Sequence, residues 1–323
     1  MPEFDKAGRR LPTTNAFNTS SPVYCDRLSR YVKVVRLDSL QRIREQFDSL
    51  RNPRWVFRGQ AESRWHLSTS LERIATWQNL AFDDAEARLI NTFKNRAHLY
   101  TSAIPLIDDD LEWVALMQHH GCPTRLLDFT RSPYIALYFA VEQVAKSRSS
   151  AVWAINSEAS DERAVHRIQF YQEWNKDMML SEGDCADKYV ARKLSGRDLF
   201  GRVFLSNKHS LVCTVEPVRQ NTRMVSQQGC FLCPGDMRDQ SGFERNLLTQ
   251  LIMGIDPEYF LPVWNPPQIY KFIVPGELRP QLLSELKRMN ITRASLFPGL
   301  DGFALSLAFE LDFLKNKGDD SPR

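Results

Sequence analysis

The sequence lacks a long apolar run, has few cysteines and carries almost no excess of charge of either sign. No stretch of about 18 consecutive apolar residues occurs, so a conventional membrane-spanning helix is not expected. Residues 1–22 contain no apolar stretch of the kind that a secretory signal needs, and we expect a cytoplasmic protein. The 42 Lys and Arg against 39 Asp and Glu leave a formal charge of +3, which gives no reason by itself to expect a membrane or nucleic-acid partner.

Six cysteines in 323 residues are too few for a disulfide scaffold, so reduced thiols are the simpler interpretation. Only Cys230 and Cys233 have the C-x-x-C spacing of a metal site. A zinc ion would need further ligands, for which His209 and Cys213 are the candidates. The alternative is that residues 230–233 form a buried strand, because cysteine packs like a small hydrophobic residue. The strand fits the apolar residues between the two cysteines better, and we expect no metal.

The composition is that of a folded globular protein, with 43% hydrophobic and 25% charged residues. A chain of this length can bury a sizeable core in one large domain. Residues 1–28 mix Pro, Thr, Asn and Ser without periodicity, which predicts a flexible arm. We place one domain at 29–316, with a mostly helical insertion at 157–210 and a flexible tail at 317–323.

Apolar residues recur with the periods of strands and of helices in turn along the chain. The predicted strands cover residues 31–37, 54–58, 124–129, 151–155, 211–215, 223–233 and 270–274. The strands at 151–155 and 211–215 are expected at the centre of the sheet. The predicted helices begin at or near Ser39, Asp83, Asp110, Ser132, Gly242, Gly276 and Gly302. Strands interspersed with helices predict an α+β fold with a mixed central sheet flanked by helices.

Three segments stand in an order and spacing that point to one family. They are FRGQ at 57–60, QHHGCPTRLLDFTRSPYIALYFAVE at 118–142 and RMVSQQGCF at 223–231, and the tail ITRASLFPGLDG at 291–302 adds a fourth. Together they resemble the FRG family, which takes its name from an F/Y-R-G motif. The resemblance covers roughly residues 50–310. It does not fix an activity, because a fold by itself never does.

The same segments also resemble those of ADP-ribosyltransferases in their order. That resemblance implies NAD as the substrate and a macromolecular acceptor, in the setting of a toxin or a phage-defence effector. It also implies that Arg58 contacts the phosphates or ribose of NAD and that the Thr130 hydroxyl braces the site. The third element departs from the pattern, because Gln227 and Gln228 stand on the predicted strand where a catalytic glutamate is usual.

The residue types in these segments suggest particular roles. The catalytic candidates are Arg58, His120, Asp128, Thr130 and Gln228. The arginine offers a planar fork for a phosphate, and Asp128 and Thr130 share one face of a predicted strand whereas Arg125 lies on the other. His119 and His120 close a helix that stops at Gly121 and Pro123, where the helix dipole favours a protonated histidine and so an acid or base near neutral pH.

The binding candidates surround this set. They are Phe57, Gly59, Gln60, Gln118, His119, Thr124, Arg125, Tyr134, Tyr138 and Arg223. Free amides at the start of the helix that begins at Pro133 would add to the binding of an anion. Tyr134 and Tyr138 are candidates for stacking on a ring of the ligand, whereas Phe139 is expected in the core.

Several alternatives stay open. Arg58 and Asp128 have a structural interpretation, in which Asp128 pairs with Arg58 or Arg223 within the core. A carboxylate for transfer chemistry would come from Asp128, Glu216 or Asp301. The same pocket also suits a non-catalytic nucleotide- or phosphate-binding module. A nuclease or hydrolase using His119 and His120, or a Cys122 nucleophile between Gly121 and Pro123, lacks supporting motifs.

Overall fold

The computed structural model describes residues 32–142, 148–174, 200–206, 210–237, 247, 250–251 and 268–307. The predicted arm at 1–28 and tail at 317–323 lie outside the described residues. So do His209, most of the helix expected at 242–253 and much of the insertion expected at 157–210. No helix in the described ranges combines the length and the apolar character that crossing a membrane requires.

A seven-stranded mixed sheet forms the centre of the described structure. Its strands are β1 (Val32–Arg36), β2 (Trp55–Gln60), β3 (Leu127–Thr130), β4 (Ser150–Asn156), β5 (Val212–Val215), β6 (Gly229–Pro234) and β7 (Ile269–Val274). The order across the sheet is β1-β7-β4-β2-β3-β6-β5. The β1–β7 pair is parallel and the other neighbours are antiparallel. The prediction of an α+β fold with a mixed central sheet flanked by helices is confirmed.

Nine α-helices with fixed bounds connect or cover these strands in the described residues. They are α1 (Leu40–Ser49), α2 (Ser70–Gln78), α3 (Phe82–Arg96), α4 (Asp110–His119), α5 (Pro133–Val141), α6 (Ser157–Trp174), α7 (Thr222–Ser226), α8 (Arg279–Arg288) and α9 (Arg293–Leu296). Residues 300–307 are also helical, and Gly201–Leu205 form a π-helical turn. Caps expected from the sequence are present at Ser39 and Ser132, whose side chains accept hydrogen bonds from the first turns of α1 and α5.

Two helices flank β3 on one face of the sheet. Helix α5 packs in one apolar cluster with Phe57 of β2, and α4 packs in a second cluster with Phe231 of β6. Thr130 is paired with Phe57 and Asp128 with Phe231, so both polar residues lie on this face. A third cluster, which includes Val56, Phe129 and Trp153, covers the opposite face. The sheet therefore presents β3 between two helices.

The second strand is longer than the sequence predicted. Gly59 was expected to end it after Arg58, but β2 continues to Gln60. The reason is the close approach of α5, because a Cβ atom at Gly59 would lie 2.5 Å from the backbone nitrogen of Ala140 and closer still to the carbonyl oxygen of Ala136. Glycine serves here for helix packing rather than for a turn, and Arg58 lies within the strand.

Other expectations about local structure are also corrected. Strand β5 lies at an edge of the sheet rather than at its centre, and it is buried on both faces because α6 packs against it and Val212 belongs to the third apolar cluster. Residues 222–226 are helical, and the strand expected at 223–233 begins only at Gly229. Helix α3 begins at Phe82 without a side-chain cap, so Asp83 and Glu86 do not start it as a capping box.

The described start of the segment expected as an insertion packs into the main core. Helix α6 follows β4 directly, and Ala164 belongs to the same apolar cluster as α4. Ser160 donates a hydrogen bond of 2.8 Å to the carbonyl oxygen of Val212 in β5. Asp161 accepts one of 2.8 Å from the Thr214 amide. Burial raises the pKa of this carboxyl to about 7.

The partly buried Asp161 predicts a specific dependence of stability on pH. Its folded-state pKa lies above the unfolded value of about 3.9. The contribution of the protonated carboxyl to the free energy of unfolding is therefore complete below the unfolded pKa and is lost as the pH rises through 7. Asp161→Asn keeps an oxygen acceptor for Thr214 and removes this loss. We expect urea unfolding to show the variant gaining roughly 2 kcal/mol over the wild type between pH 5 and pH 8. Glu158→Gln on the exposed side of α6 is the matched control, and parallel pH curves for Asp161→Asn and wild type would contradict the prediction.

Candidate functional site

The three motif segments meet because their strands are neighbours. Strand β2 carries FRGQ, β3 carries the central segment and β6 follows the Gln227–Gln228 turn of the third. Strand β3 lies in the middle and pairs with both. Residues that are far apart in sequence therefore come together at β3, as the motif order suggested.

Arg58 and Asp128 are in contact where β2 and β3 separate. These strands pair at a single position, Phe57 with Thr130. Just beyond it, Nη1 of Arg58 donates a hydrogen bond of 2.6 Å to the backbone carbonyl oxygen of Asp128. The same nitrogen lies 4.0 Å from Oδ2 of Asp128, whose side chain is 58% exposed against 22% for Arg58. Arg58 thus links β2 to β3 by a side-chain hydrogen bond beyond the last paired residues. The Asp128 carboxylate lies beside it and is exposed to solvent.

Gln118 at the end of α4 fixes the orientation of the Asp128 carboxylate. Its Nε2 donates a hydrogen bond of 3.0 Å to Oδ2 of Asp128. Its Oε1 accepts one of 2.6 Å from the Thr124 hydroxyl. Because a hydroxyl donor requires the amide oxygen, Thr124 sets the amide so that its NH2 group faces Asp128. Thr124 is itself held by Ser70, whose hydroxyl accepts from the Thr124 amide at 3.0 Å.

Thr130 is a brace with both hydrogen-bonding functions in use. Its hydroxyl donates to the carbonyl oxygen of Gln227 at 2.7 Å and accepts from the Ser132 amide at 3.1 Å. Gln227 in turn donates from its side chain to the carbonyl oxygen of Leu296 at 3.0 Å. A chain of hydrogen bonds therefore runs from β3 through the third segment to the tail segment at 291–302. Only 4% of Thr130 is exposed, which fits a structural role better than contact with a ligand.

Gln228 lies in a turn and not on a strand as expected. Its backbone has a φ of 47°, in the left-handed region. Its carbonyl oxygen accepts a hydrogen bond of 3.0 Å from the Arg131 amide, which anchors the turn at the end of β3. The residue is exposed. Its side chain is therefore open to solvent at the edge of the site.

The two histidines lie at the end of α4 as the sequence indicated. The helix ends at His119, and Gly121 follows with a φ of 80° and donates to the carbonyl oxygen of Gln118 at 3.0 Å. The rings of His119 and His120 lie 5.0 Å apart, edge to face. His120 is exposed, one residue beyond the helix that carries Gln118. An acid or base role for it stays a prediction.

Comparison with known protein families matches one segment of the chain to a family. Residues 53–149 match the family described as FRG domain. The chain contains an FRG domain. The match begins just before β2 and ends just before β4, so it includes Arg58, Gln118 and Asp128, whereas the third segment at 223–231 lies beyond it. No curated protein and no solved structure matches the chain.

The motif of the FRG domain has a largely structural explanation. Phe57 is 1% exposed in the core, and Gly59 admits α5. Gln60 accepts a hydrogen bond of 2.7 Å from the Trp153 indole and donates one of 3.0 Å to the carbonyl oxygen of His66. Arg58 is the motif residue that reaches the exposed carboxylate. The predicted contacts of Phe57, Gly59 and Gln60 with a ligand do not fit these positions.

Arg125 lies away from the site of the FRG domain. It is fully buried and binds Glu86 through two nitrogens. It also donates to the backbone carbonyl oxygens of Phe204 and Pro234. Its predicted role in ligand binding does not fit this placement, because a ligand cannot reach a guanidinium whose surroundings are all protein.

The two tyrosines of α5 pack within the protein. Tyr138 is 5% exposed, and its hydroxyl donates to Glu142 at 2.9 Å. The ring of Tyr134 lies edge to face on Phe47, with 5.4 Å between ring centres. The buried Tyr138 does not fit stacking on a ligand ring, whereas that role for the partly buried Tyr134 stays a prediction. Phe139, expected in the core, is partly buried against that cluster and contacts Phe297.

Arg223 belongs to a cluster that the sequence did not predict. Its guanidinium lies 4.7 Å from the ring centre of Phe297, and that of Arg293 lies 4.8 Å from the same ring. Arg293 also pairs with Glu142 at 2.6 Å. Arg223 thus stacks on Phe297 of the tail segment rather than pairing with Asp128. The sequence signal for this cluster was the tail motif ITRASLFPGLDG. The motif does not indicate that Arg223 is the residue that packs against it.

The remaining carboxylates and thiols contribute less. Glu216 is paired with Arg131, and Asp301 is exposed on the helix at 300–307. Cys230 and Cys233 lie buried on β6, as the strand interpretation expected, and burial raises the pKa of Cys230 to about 12. Burial also raises the pKa of Cys122, which disfavours it as a nucleophile. Within the described ranges, no group of His, Cys, Asp or Glu is arranged to hold a metal ion.

Proposed function

We propose that the FRG domain is an ADP-ribosyltransferase that uses NAD as its substrate and modifies a macromolecule. The observation that carries the proposal is the exposed Asp128 carboxylate, oriented by Gln118 and 4.0 Å from Arg58. Glu216 is occupied by Arg131. Asp128 is thus the best-placed of the three candidate carboxylates, and it supplies the negative charge that the third segment lacks.

The proposed reaction divides the work between these side chains. Arg58 binds a phosphate of NAD, because its guanidinium offers charge-assisted hydrogen bonds at a half-open position. The bond between the nicotinamide nitrogen and the ribose C1′ breaks, and nicotinamide leaves with the bonding electron pair. The acceptor bonds to C1′ and gives its proton to Asp128, which also stabilises the positive charge that develops on the ribose.

Gln228 has a different part in this proposal. An amide cannot accept a proton as a carboxylate does, so Gln228 is not the base. Its exposed place in the turn between α7 and β6 suits a hydrogen bond to a ribose hydroxyl. The transfer chemistry then depends on β3 and not on the third segment.

The proposal predicts which substitutions abolish nicotinamide release. Purified protein is incubated with NAD and a cell extract, and nicotinamide and NAD-dependent mass shifts are measured. We expect Arg58→Ala and Asp128→Asn each to lower nicotinamide release about a hundredfold. Arg51→Ala and Asp48→Asn are matched controls, because that exposed arginine–aspartate pair, 2.9 Å apart, lies outside the site, and we expect them to stay within about twofold of wild type.

Wild-type protein that releases no nicotinamide and produces no mass shift would overturn the proposal. Equal loss in the two control variants would also contradict it, because it would assign the effect to stability. A variant of Asp128 that keeps full activity would remove this carboxylate from the mechanism.

The second candidate is a nucleotide-binding module without turnover. It is favoured by the third segment, where Gln227 and Gln228 bring no carboxylate, and by Thr130, whose hydroxyl is committed to the protein. Ligand that binds only the folded state stabilises it by RT ln(1 + [L]/Kd), about 2.7 kcal/mol at a hundredfold excess over Kd. Thermal stabilisation by NAD that Arg58→Ala removes, without release of nicotinamide, would select this candidate.

A further inference from the structure

Three side chains form a row across the sheet on the face opposite α5. Arg58 of β2 is paired with Trp153 of β4, and Trp153 is paired with Lys271 of β7. Directly paired residues of antiparallel strands project from the same face. Gly59 faces α5, so its neighbour Arg58 and the other two members of the row leave the sheet on the other side.

Lys271 is a partly buried cation held by neutral groups. Its Nζ lies 4.7 Å from the centre of the Trp153 ring and donates to the carbonyl oxygen of Trp65 at 3.3 Å. In the part of the chain that the structure describes, no carboxylate lies within ion-pair distance of it. Burial lowers the pKa of this amine to about 8, and burial followed by the charge of Lys271 lowers the pKa of His66.

Lys94 lies in a similar environment but also has a carboxylate as counter-ion. Its Nζ also lies over an indole, 5.9 Å from the ring centre of Trp113, and donates to a backbone carbonyl, that of Ile107 at 3.0 Å. It differs in having a carboxylate, Asp110, at 2.7 Å. Lys271 has the ring and the carbonyl but no anion among the described residues. A half-buried ammonium without a counter-charge is unfavourable, so an anion from outside would stabilise it.

The walls around Lys271 are fixed before any ligand arrives. The Trp153 indole donates to Gln60, and Gln60 donates to the carbonyl oxygen of His66. The segment that contains Trp65 and His66 is therefore tied to β2 and β4. Preformed walls reduce the loss of conformational freedom on binding.

We infer that Lys271 is the centre of an anion-binding site for a phosphate group, bounded by the Trp153 indole and by Trp65 and His66. The phosphate would take the position that Asp110 occupies beside Lys94. The site does not depend on the transferase activity proposed above. It would bind the phosphate of a nucleotide as well as free phosphate, because both carry the same group.

The first test measures binding of ADP and of inorganic phosphate by calorimetry. We expect Lys271→Gln to weaken the binding of the ligand that fits by about tenfold or more. Lys33→Gln is the matched control, because Lys33 on β1 also lies over an aromatic ring, 5.7 Å from the centre of Tyr270, and we expect its affinity to stay within about twofold of wild type. Thermal unfolding of both variants checks that they are folded.

The second test uses wild-type protein and does not depend on a variant. Lysines are acetylated briefly with acetic anhydride, with and without ADP or phosphate, and each site is quantified by mass spectrometry. We expect acetylation of Lys271 to fall several-fold in the presence of ligand while that of Lys33 is unchanged.

Each outcome of these tests is decisive. Protection by ADP alone assigns the site to a nucleotide, and protection by both ligands assigns it to phosphate in general. No protection by either, or equal affinity of Lys271→Gln and wild type, overturns the inference. Nicotinamide release is measured separately, so a protected Lys271 in a protein without turnover supports this site while contradicting the transferase.

Discussion

Gly59→Ala is expected to destabilise the protein by about 3 kcal/mol or more, measured as a lower urea midpoint of unfolding. The added Cβ would lie 2.5 Å from the nitrogen of Ala140 and closer to the oxygen of Ala136, and both are backbone atoms. Backbone of α5 cannot move aside as the end of a flexible side chain can, so the whole helix must shift. That shift would also disturb the core around Phe57.

Gly121→Ala is the control for this prediction. Gly121 has a φ of 80°, and a Cβ there would meet nothing within 4 Å. We expect only the conformational penalty, about 1 kcal/mol. Equal midpoints for the two variants would show that the approach of α5 to β2 is not the constraint.

Arg125→Met is expected to destabilise the protein by about 3–5 kcal/mol, because it leaves Glu86 charged and buried without its partner. Arg125 is fully buried, and 5% of Glu86 is exposed. The carbonyl oxygens of Phe204 and Pro234 would also lose a donor. Chemical denaturation at neutral pH gives the free energy of unfolding directly.

Two further variants test the reason given for this effect. Arg51→Met removes an exposed pair with Asp48 and should cost at most about 0.5 kcal/mol. The double variant Arg125→Met, Glu86→Leu should recover part of the loss, since it leaves no unpaired charge. A double variant less stable than Arg125→Met alone would contradict this account.

Much of the local structure could be predicted because its signals are short-range. Ser132 and Pro133 mark the start of α5, and Gly121 marks the end of α4. Helix α2 was missed although Thr69 and Glu72 carry the capping-box signal and form that box. The same short-range signal therefore marks the start of α2.

Other features depend on contacts between residues far apart in sequence. Nothing near Gly59 distinguishes a turn from a strand that must admit a helix 77 residues later, at Ala136. Strand β5 has the composition of a central strand because α6 buries the edge where it lies. Periodicity reports burial and does not report which element provides it.

The candidate site was predicted with similar limits. The structure brings Arg58, Gln118 and Asp128 into contact, as the motif segments suggested, and their role in binding a ligand stays a prediction. Arg125 was misplaced as a ligand contact, since its partner Glu86 lies 39 positions away and no local pattern connects them. The path from Thr130 through Gln227 to Leu296 could not be foreseen for the same reason.

The single paired position between β2 and β3 has a consequence for ligand affinity. Arg58 donates to the Asp128 carbonyl oxygen where the ladder has ended, so a phosphate that draws the guanidinium away must replace that hydrogen bond. The loss of that hydrogen bond makes the binding free energy less favourable by about 1 kcal/mol, which raises the dissociation constant roughly fivefold.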